Sequence, residues 1–302
     1  MNAFPSVPQN RLLGILLRLG AMACLGIMAA MIKLAHEAQI HIVEQIFYRF
    51  AFGLPPLAIW IAVTRNFRPW HTQRPLAHLA RGALGITTMA LGFGALAYLP
   101  LAEAAVIGFA APFFSVVLSA LILSEPVGRH RWSAVAIGFL GVLIVMQPGD
   151  TALPTMGLVL ALLNAFSVAV VMVTIRQIGR TDSTPTSVLW FSGFSLIASG
   201  LLMPAFATRH DLAEWLILLV LGLAGGLGQL LTTASLRFAP VSAVVPFDYT
   251  QLLWAVLLGW VIWQTQPSAT TWAGAAVIIA SGLYTLYREH KLGREKPPPD
   301  TF

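Results

Sequence analysis

Long apolar runs alternate with short polar segments along almost the whole chain. Each run is close to the roughly 20 residues that an α-helix needs to cross a bilayer. We count ten such runs, at residues 12–34, 42–63, 76–98, 102–123, 132–147, 155–175, 185–206, 213–236, 241–264 and 270–287. The connections between them are too short to form a water-soluble domain. The pattern therefore predicts an all-α integral membrane protein with ten transmembrane helices.

Composition excludes most other classes of protein. Only 10% of the 302 residues are charged, against about 25% in soluble domains. The single cysteine, Cys24, rules out an internal disulfide and a cysteine-based metal site. His36 and His41 are five residues apart, and a zinc-binding H-E-x-x-H helix needs a spacing of four. With no clustered His, Asp or Glu and no nucleophile motif, we expect a protein that is not an enzyme and has no catalytic residue, no cofactor and no metal.

The distribution of positive charge predicts the orientation. If the N-terminus is cytoplasmic, 13 Lys and Arg residues lie on the cytoplasmic side and two, Lys33 and Arg209, lie outside. Cytoplasmic segments of membrane proteins carry an excess of Lys and Arg. We therefore expect an inner (plasma) membrane protein of bacterial type with both termini in the cytoplasm. This explanation of the basic residues also argues against a nucleic-acid partner.

The chain contains an internal repeat. Residues 14–63 align with 157–206 at an offset of 143, and residues 96–143 align with 236–283 at an offset of 140. The boundary is a polar, turn-rich stretch at mid-chain, which divides the chain into repeats 1–150 and 151–302. Because each repeat has five spans, the second enters the membrane from the opposite side. Such inverted repeats are typical of secondary transporters, whose substrates bind between the repeats.

Several motifs resemble the drug/metabolite transporter superfamily, in its EamA-type branch with two five-helix repeats. They are Y-L-P-L-A-E-A at 98–104, A-P-F-F at 111–114, S-E-P at 124–126, G-F-L-G at 138–141, Q-P-G at 147–149, A-P-V-S-A-V-V-P at 239–246 and F-D-Y at 247–249. An arginine in the second span, Arg49, also resembles the family. The second repeat departs from the pattern near Thr265, where a glutamate matching Glu125 is expected.

This resemblance implies a secondary transporter that works by alternating access. Members of the superfamily move amino acids, aromatic compounds, riboflavin, S-adenosylmethionine or drugs. We expect a small-molecule substrate, membrane lipid and a proton or exchange substrate as partners. The alternatives are a flippase for lipid-linked sugars and a membrane protein that transports nothing. The sequence leaves the substrate, the direction, the coupling ion and the presence of a homodimer open.

Charged residues inside the spans are the first candidates for function, because insertion of each costs roughly 2.5–3.5 kcal/mol. Four stand out: Glu44 and Arg49 in the second span, Glu103 in the fourth and Asp248 in the ninth. Arg49 either holds a substrate carboxylate in the central cavity or clamps two helices together. Glu103 lies at a helix start, where the helix dipole favours a carboxylate without any transport role. Asp248 is expected to be buried beside a proline break and to couple transport to a proton gradient.

Other residues extend the expected substrate pathway. Tyr48 shares the helix face of Glu44, Tyr249 and Gln251 follow Asp248, and Trp190 is a tryptophan inside the seventh span. Each can bind a ligand or simply pack. Pro112 and Pro246 lie within the fourth and ninth spans, where proline removes a backbone hydrogen bond and bends a helix. We expect both to serve as hinges for alternating access.

Overall fold

A computed structural model describes residues 10–56, 58, 72, 74–122, 127–146, 153–178 and 184–295. The regular structure of these residues is helical. The helices, numbered in chain order, are α1 (Arg11–Glu37), α2 (Ile42–Ala51), α3 (Pro75–Tyr98), α4 (Leu101–Gly108), α5 (Ala111–Ile122), α6 (Arg129–Met146), α7 (Thr155–Ile178), α8 (Thr184–Phe206), α9 (Leu212–Phe238), α10 (Val241–Val244), α11 (Thr250–Trp263) and α12 (Ala269–Glu295). A 3₁₀ turn, Val245–Tyr249, joins α10 to α11.

The described residues confirm nine of the ten expected spans by length and hydropathy. They are Arg11–Glu37, Pro75–Tyr98, Leu101–Ile122, Arg129–Met146, Thr155–Ile178, Thr186–Phe206, Leu212–Phe238, Val245–Trp263 and Ala269–Arg288. The remaining expected span, 42–63, begins with α2, and residues 59–71 lie outside the described part of the chain. The S-E-P motif at 124–126 and the repeat boundary at 147–152 also lie outside it.

Polar side chains fix the beginnings of two long helices. Asn10 caps α1, and its Oδ1 accepts a hydrogen bond from the backbone N–H of Leu13 at 3.1 Å. At the start of α9, the backbone N–H of Glu214 donates to Asp211 Oδ1 at 2.8 Å. The backbone N–H of Asp211 donates in return to Glu214 Oε2 at 3.2 Å. This reciprocal capping box satisfies N–H groups that the helix itself cannot pair.

The same packing contact is made twice, once by each half of the chain. A side chain at Gly14 would clash with Ala239, and a side chain at Gly157 would lie 2.8 Å from Cγ of Leu99. The offsets of the repeat, 143 and 140, convert Gly14 into Gly157 and Leu99 into Ala239. Each half therefore places a glycine of its first helix against the equivalent residue of the other half.

The repeat offset also relates two contacts between α6 and α12. Gly141 and Gly274 are so close that a Cβ at Gly141 would lie 3.0 Å from the carbonyl oxygen of Gly274. The offset of 140 converts this pair into Ser281 and Ala134. Ser281 Oγ donates a hydrogen bond to the carbonyl oxygen of Ala134 at 2.6 Å. The repeat detected in the sequence thus relates contacts in space as well as residues along the chain.

The fourth and ninth spans, which contain the expected hinge residues Pro112 and Pro246, are interrupted, as the sequence predicts. The fourth span breaks at Phe109 and Ala110, just before Pro112, because Pro112 has no N–H to donate to the preceding turn. The ninth span becomes a 3₁₀ turn at Pro246. Phe109 and Tyr249 are equivalent under the offset of 140, and their rings meet edge to face with centroids 5.0 Å apart. The two breaks therefore face each other at the junction of the repeats.

Three helices end at one end of the bundle, which we call the distal end. Lys33 Nζ, near the end of α1, donates to the carbonyl oxygens of Leu96 at 3.4 Å and Leu99 at 3.1 Å, at the end of α3. Trp263, the last residue of α11, donates a hydrogen bond from Nε1 to Glu37 Oε1 at 2.7 Å. The helices α1, α3 and α11 therefore run in the same direction.

Candidate functional site

Asp248 is paired with an arginine from the other half of the chain. Arg18 of α1 donates from Nε to Asp248 Oδ1 and from Nη2 to Asp248 Oδ2, the latter at 2.6 Å. This bidentate geometry is the strongest form of an arginine–carboxylate pair. The Asp248 side chain is 31% exposed and the Arg18 side chain 11%, so Asp248 is less buried than we expected. The pair ties the start of α1 to the 3₁₀ turn.

Tyr249 and Gln251 follow this ion pair at the break in the ninth span. Tyr249 lies against Phe109, and its hydroxyl occupies the space that a side chain at Gly282 of α12 would fill. Gln251 is half-buried in the first turn of α11. Tyr249 thus packs at the contact between the two repeats, and both residues lie within one turn of Asp248.

Glu44 is fully buried at the distal end, where it holds the loop before α9. Its carboxylate accepts hydrogen bonds from the backbone N–H and Oγ1 of Thr208, each at 3.2 Å, and its Oε2 lies 2.7 Å from His210 Nε2. The other ring nitrogen of His210, Nδ1, lies 3.1 Å from Glu214 Oε2. Both histidine nitrogens therefore face carboxylate oxygens, so the ring joins α2 to the first turn of α9.

Tyr48 belongs to the aromatic surroundings of His210. The Tyr48 ring lies edge to face against Trp215 with centroids 5.1 Å apart and against His210 at 6.3 Å. It also stacks on Phe52 at 5.5 Å. These contacts shield the Glu44–His210 pair and anchor α2 to α9. The structure gives Glu44 and Tyr48 a helix-joining environment, distinct from that of Arg49.

Glu103 lines a second feature of the distal end, a cavity of about 200 Å³. The Glu103 side chain is only 6% exposed, and its Oε1 accepts a hydrogen bond from Thr271 Oγ1 at 3.1 Å. The cavity is walled by the start of α4, by α11 and by the loop between α11 and α12. Its lining residues are Pro100, Ala102, Glu103, Ala255, Val256, Gly259, Thr265, Gln266 and Pro267. Glu103 therefore faces the bundle interior rather than the outer surface.

Arg49 has no counter-ion in the part of the chain that the structure describes. Across the described residues its guanidinium has no hydrogen-bond or ion-pair partner, and its Nε is sealed from solvent. Its Cζ lies 4.6 Å from the ring centroid of Phe50, and an arginine over an aromatic face gains only about 0.5–2 kcal/mol. A sealed guanidinium N–H without an acceptor leaves most of its desolvation penalty uncompensated.

The arginine instead lines a small cavity between α2, α8 and α9. Two polar side chains, Ser192 and Gln229, share this wall with it. A Cβ at Gly225 would lie 3.2 Å from Cγ of Arg49, so the absence of a side chain there makes room for the arginine stem. The cavity measures about 30 Å³, the space of one water molecule. A metabolite can bind there only when the surrounding helices move apart.

The glycines of α9 explain how α2 comes so close. A Cβ at Gly222 would lie 2.6 Å from the carbonyl oxygen of Tyr48, and one at Gly226 would lie 2.6 Å from that of Gly53. This small-xxx-small face packs helix on helix. It also sets the wall on which Arg49 lies.

Trp190 packs elsewhere on α8. Its ring stacks on His78 of α3 with centroids 5.7 Å apart and planes inclined by 27°. Trp190 therefore does not line the Arg49 cavity, although its neighbours Val188 and Ser192 do.

Sequence reasoning missed two of the residues that form these groups, Arg18 and His210. A signal for Arg18 was present, because Arg18 and Asp248 each lie about seven residues into spans 12–34 and 241–264, which run in the same direction. His210 lies in a connection between spans, where no periodicity marks it. Among the described residues, no group of three or more His, Cys, Asp or Glu side chains is arranged to hold a metal ion.

Comparison with known proteins gives the family. The model of the EamA-like transporter family matches residues 12–147 and again residues 155–287. The chain is 29% identical to the pseudopaline exporter CntI of Pseudomonas aeruginosa, over 89% of this chain and 94% of that protein. It is 30% identical to a riboflavin transporter of Rhizobium johnstonii, over 88% and 86%. It is 28% identical to an S-adenosylmethionine uptake transporter of Rickettsia bellii, over 85% and 88%.

A solved structure supports the fold. A crystal structure that is 18% identical matches with a TM-score of 0.60, covering 92% of this chain and 98% of its own. The two family matches fall on the two halves that the packing relates to each other. The chain therefore belongs to the EamA-like transporter family, and it is an integral membrane transporter of small metabolites rather than an enzyme.

Proposed function

We propose that this protein carries a small organic acid by alternating access, and that Arg49 binds the carboxylate of the substrate. The observation that carries the proposal is the Arg49 guanidinium at a cavity wall, whose Nε is sealed from solvent and which has no counter-ion among the described residues. A carboxylate matches the planar donor fork of arginine in bidentate geometry. Substrate binding would therefore supply the acceptor that no described residue provides at this position.

The neighbouring polar groups fit a substrate with a second polar function. Ser192 and Gln229 lie on the same cavity wall as Arg49, and each offers a donor and an acceptor. Amino acids, S-adenosylmethionine and aromatic acids carry a carboxylate, and riboflavin does not. An arginine-based site therefore favours the first three classes over riboflavin.

The two broken spans supply the expected motion. The break before Pro112 and the 3₁₀ turn at Pro246 lie at the contact between the repeats, so bending there would let one repeat rock against the other. The hinge role of Pro112 and Pro246 is part of the proposal. Rocking of one repeat against the other would enlarge the Arg49 cavity from either side of the membrane.

We place both termini in the cytoplasm and the protein in a bacterial-type inner membrane, on the strength of the positive-charge bias. Reporter fusions after residues 68, 129, 180 and 302 should report the cytoplasm, and fusions near 38, 150 and 210 the outside. A cytoplasmic signal at 150 would contradict the arrangement of five spans in each repeat.

The test of function is counterflow in proteoliposomes with labelled amino acids, aromatic acids, S-adenosylmethionine and riboflavin. Each acid is paired with its amide, which keeps the shape and loses the charge. We expect one of the acids to be carried, its amide to be rejected, and Arg49→Gln to abolish transport. Arg129→Gln, which removes an exposed arginine at the start of α6, is the control that should transport normally. Transport of riboflavin or of an amide by the wild-type protein would overturn the proposal. Transport by Arg49→Gln at the wild-type rate would overturn it as well.

A further inference from the structure

A second guanidinium is buried without an acceptor, between α3 and α8. Arg81 is only 8% exposed. Its Nε and Nη1 are sealed from solvent, and no hydrogen bond or ion pair reaches it from the described residues. The carboxylates Glu44, Glu103 and Asp248 are each engaged with other groups. Arg81, like Arg49, is therefore a guanidinium without an acceptor among the described residues, and this points to an anion from outside the chain.

The helix opposite Arg81, α8, contributes a buried hydroxyl group that also lacks a partner among the described residues. Ser187 of α8 is buried, and no described residue forms a hydrogen bond with its Oγ. Phe191 lies one turn further along α8, on the same helix face. The Cζ of Arg81 lies 4.3 Å from the ring centroid of Phe191. Hence α3 and α8 bring an unpaired guanidinium and an unpaired hydroxyl to the same region.

Two glycines of α3 shape this region. A Cβ at Gly85 would overlap the ring of Phe191, and a Cβ at Gly82 would overlap the ring of Phe194. The aromatic rings of α8 therefore lie in notches next to Arg81. A guanidinium held against an aromatic face stays planar and keeps its edge available for an oxyanion.

A continuous series of contacts links the two arginines. Arg49 lies 4.6 Å from the centroid of Phe50, Phe50 lies 5.3 Å from that of Phe191, and Phe191 lies 4.3 Å from Arg81. These three steps place the guanidinium carbons of Arg49 and Arg81 at most about 14 Å apart. The distance between the two guanidinium carbons is therefore shorter than the thickness of the membrane core, which is about 30 Å.

We propose that Arg81 and Ser187 form a second oxyanion-binding site, which receives the carboxylate of the transported substrate on the other side of the Phe50–Phe191 pair from Arg49. The inference rests on the proposed function and extends it from one binding site to two successive sites. Both sites offer donor groups, and among the described residues no carboxylate pairs with either guanidinium. The aromatic pair between them would separate the two positions of the substrate.

The test measures the electrostatic character of the site with two thiol reagents of opposite charge. Cys24 is the only cysteine, so a Cys24→Ser, Ser187→Cys protein has one thiol, at the proposed site. The probes are the anionic sulfonatoethyl and the cationic trimethylammonioethyl methanethiosulfonates. The rate at which each reagent modifies the protein is divided by its rate with a free thiol in solution. A nearby guanidinium should favour the anionic reagent by about tenfold.

Charge-matched variants assign that preference. Arg81→Gln should abolish it, Arg81→Lys should keep it, and Arg49→Gln should leave it unchanged. Benzoate should slow modification by the anionic reagent at least twofold, whereas benzamide should not. A preference that survives Arg81→Gln, or a thiol that neither reagent reaches, would overturn the second site while leaving the role of Arg49 intact.

The same protein distinguishes a substrate acid from a lipid phosphate. Modification is compared in vesicles of phosphatidylcholine alone and in vesicles with added phosphatidylglycerol. We expect the rate to be the same in both, because the ligand is a soluble acid. Protection by phosphatidylglycerol without protection by benzoate would identify a headgroup site and contradict the proposal.

Discussion

Arg18 and Arg49 occupy similar positions in sequence and opposite situations in space. Each lies seven residues after the first residue of its helix, α1 or α2, in an apolar run. Arg18 donates two hydrogen bonds to Asp248 across the repeat junction. Arg49 lines a cavity and has no acceptor among the residues that the structure describes. The comparison separates an arginine that joins helices from one that is left available for a ligand.

The energetic consequence is that the two arginines should respond differently to the same substitution. Removing Arg18 leaves a carboxylate without its counter-ion, which is costly inside a protein. Removing Arg49 leaves no ionised partner behind. Loss of Arg18 should therefore lower stability, and loss of Arg49 should lower transport.

The largest effect is expected for Arg18→Gln. We expect the free energy of unfolding to fall by roughly 2–4 kcal/mol, somewhat below the value for a fully buried pair because Asp248 keeps some access to solvent. Chemical denaturation in detergent measures it. The double variant Arg18→Gln, Asp248→Asn should recover most of the loss, since it leaves no unpaired charge. Equal destabilisation in the single and double variants would show that the pair does not join the helices.

Asp248→Asn asks whether the same pair also couples transport to protons. Asparagine keeps the shape of Asp248, cannot ionise and leaves Arg18 without its counter-ion. We therefore expect lower stability, as for Arg18→Gln. In the protein that remains folded, accumulation driven by a pH gradient should be abolished while substrate exchange continues. Gradient-driven uptake and counterflow in proteoliposomes provide the two readouts. Unchanged accumulation would remove Asp248 from coupling, and Glu44 and Glu103 would be the next carboxylates to test.

Arg49→Lys tests whether the planar guanidinium of Arg49 is needed for transport. Lysine keeps the charge and loses the planar fork. Transport should drop roughly tenfold or more, because one charge-assisted hydrogen bond of about 1.5–3 kcal/mol is lost. Thermal unfolding should be nearly unchanged. Normal transport by the Lys variant would rule out bidentate recognition, and failure to accumulate in the membrane would favour a structural clamp.

A smaller effect is expected at the distal end. His210→Gln removes a donor from the buried Glu44 carboxylate, with Thr208 remaining. We expect a loss of about 1.5–3 kcal/mol in unfolding free energy, with substrate binding to the folded protein unaffected. Thermal unfolding with and without substrate measures both. A loss of binding equal to that of Arg49→Gln would move the distal group into the substrate site.

Much of the architecture was accessible from sequence because periodicity and repeat are long-range patterns. The alignment of Gly14 with Gly157 predicted equivalent positions, and the structure shows that both make the same contact. The breaks at Pro112 and Pro246 followed from the chemistry of proline. Of the second span only the first part is described, where α2 is helical as predicted, and residues 59–71 lie outside the described part of the chain.

The partners of the charged residues were less predictable. Sequence singled out Arg49, Glu44, Glu103 and Asp248 from the cost of charge in a membrane, and this cost does not reveal what each one meets. Asp248 and Arg18 are 230 residues apart, and only the packing of the two halves brings them together.

The most direct test compares the stabilisation that a carried acid gives to two purified proteins. One is Arg49→Gln, and the other is the Arg18→Gln, Asp248→Asn double variant. A ligand that binds the folded state raises the melting temperature. We predict that Arg49→Gln keeps the wild-type melting temperature without ligand and shows no rise with it, whereas the double variant still shows the rise. A full rise in Arg49→Gln would contradict the assignment of Arg49 as the carboxylate-binding residue.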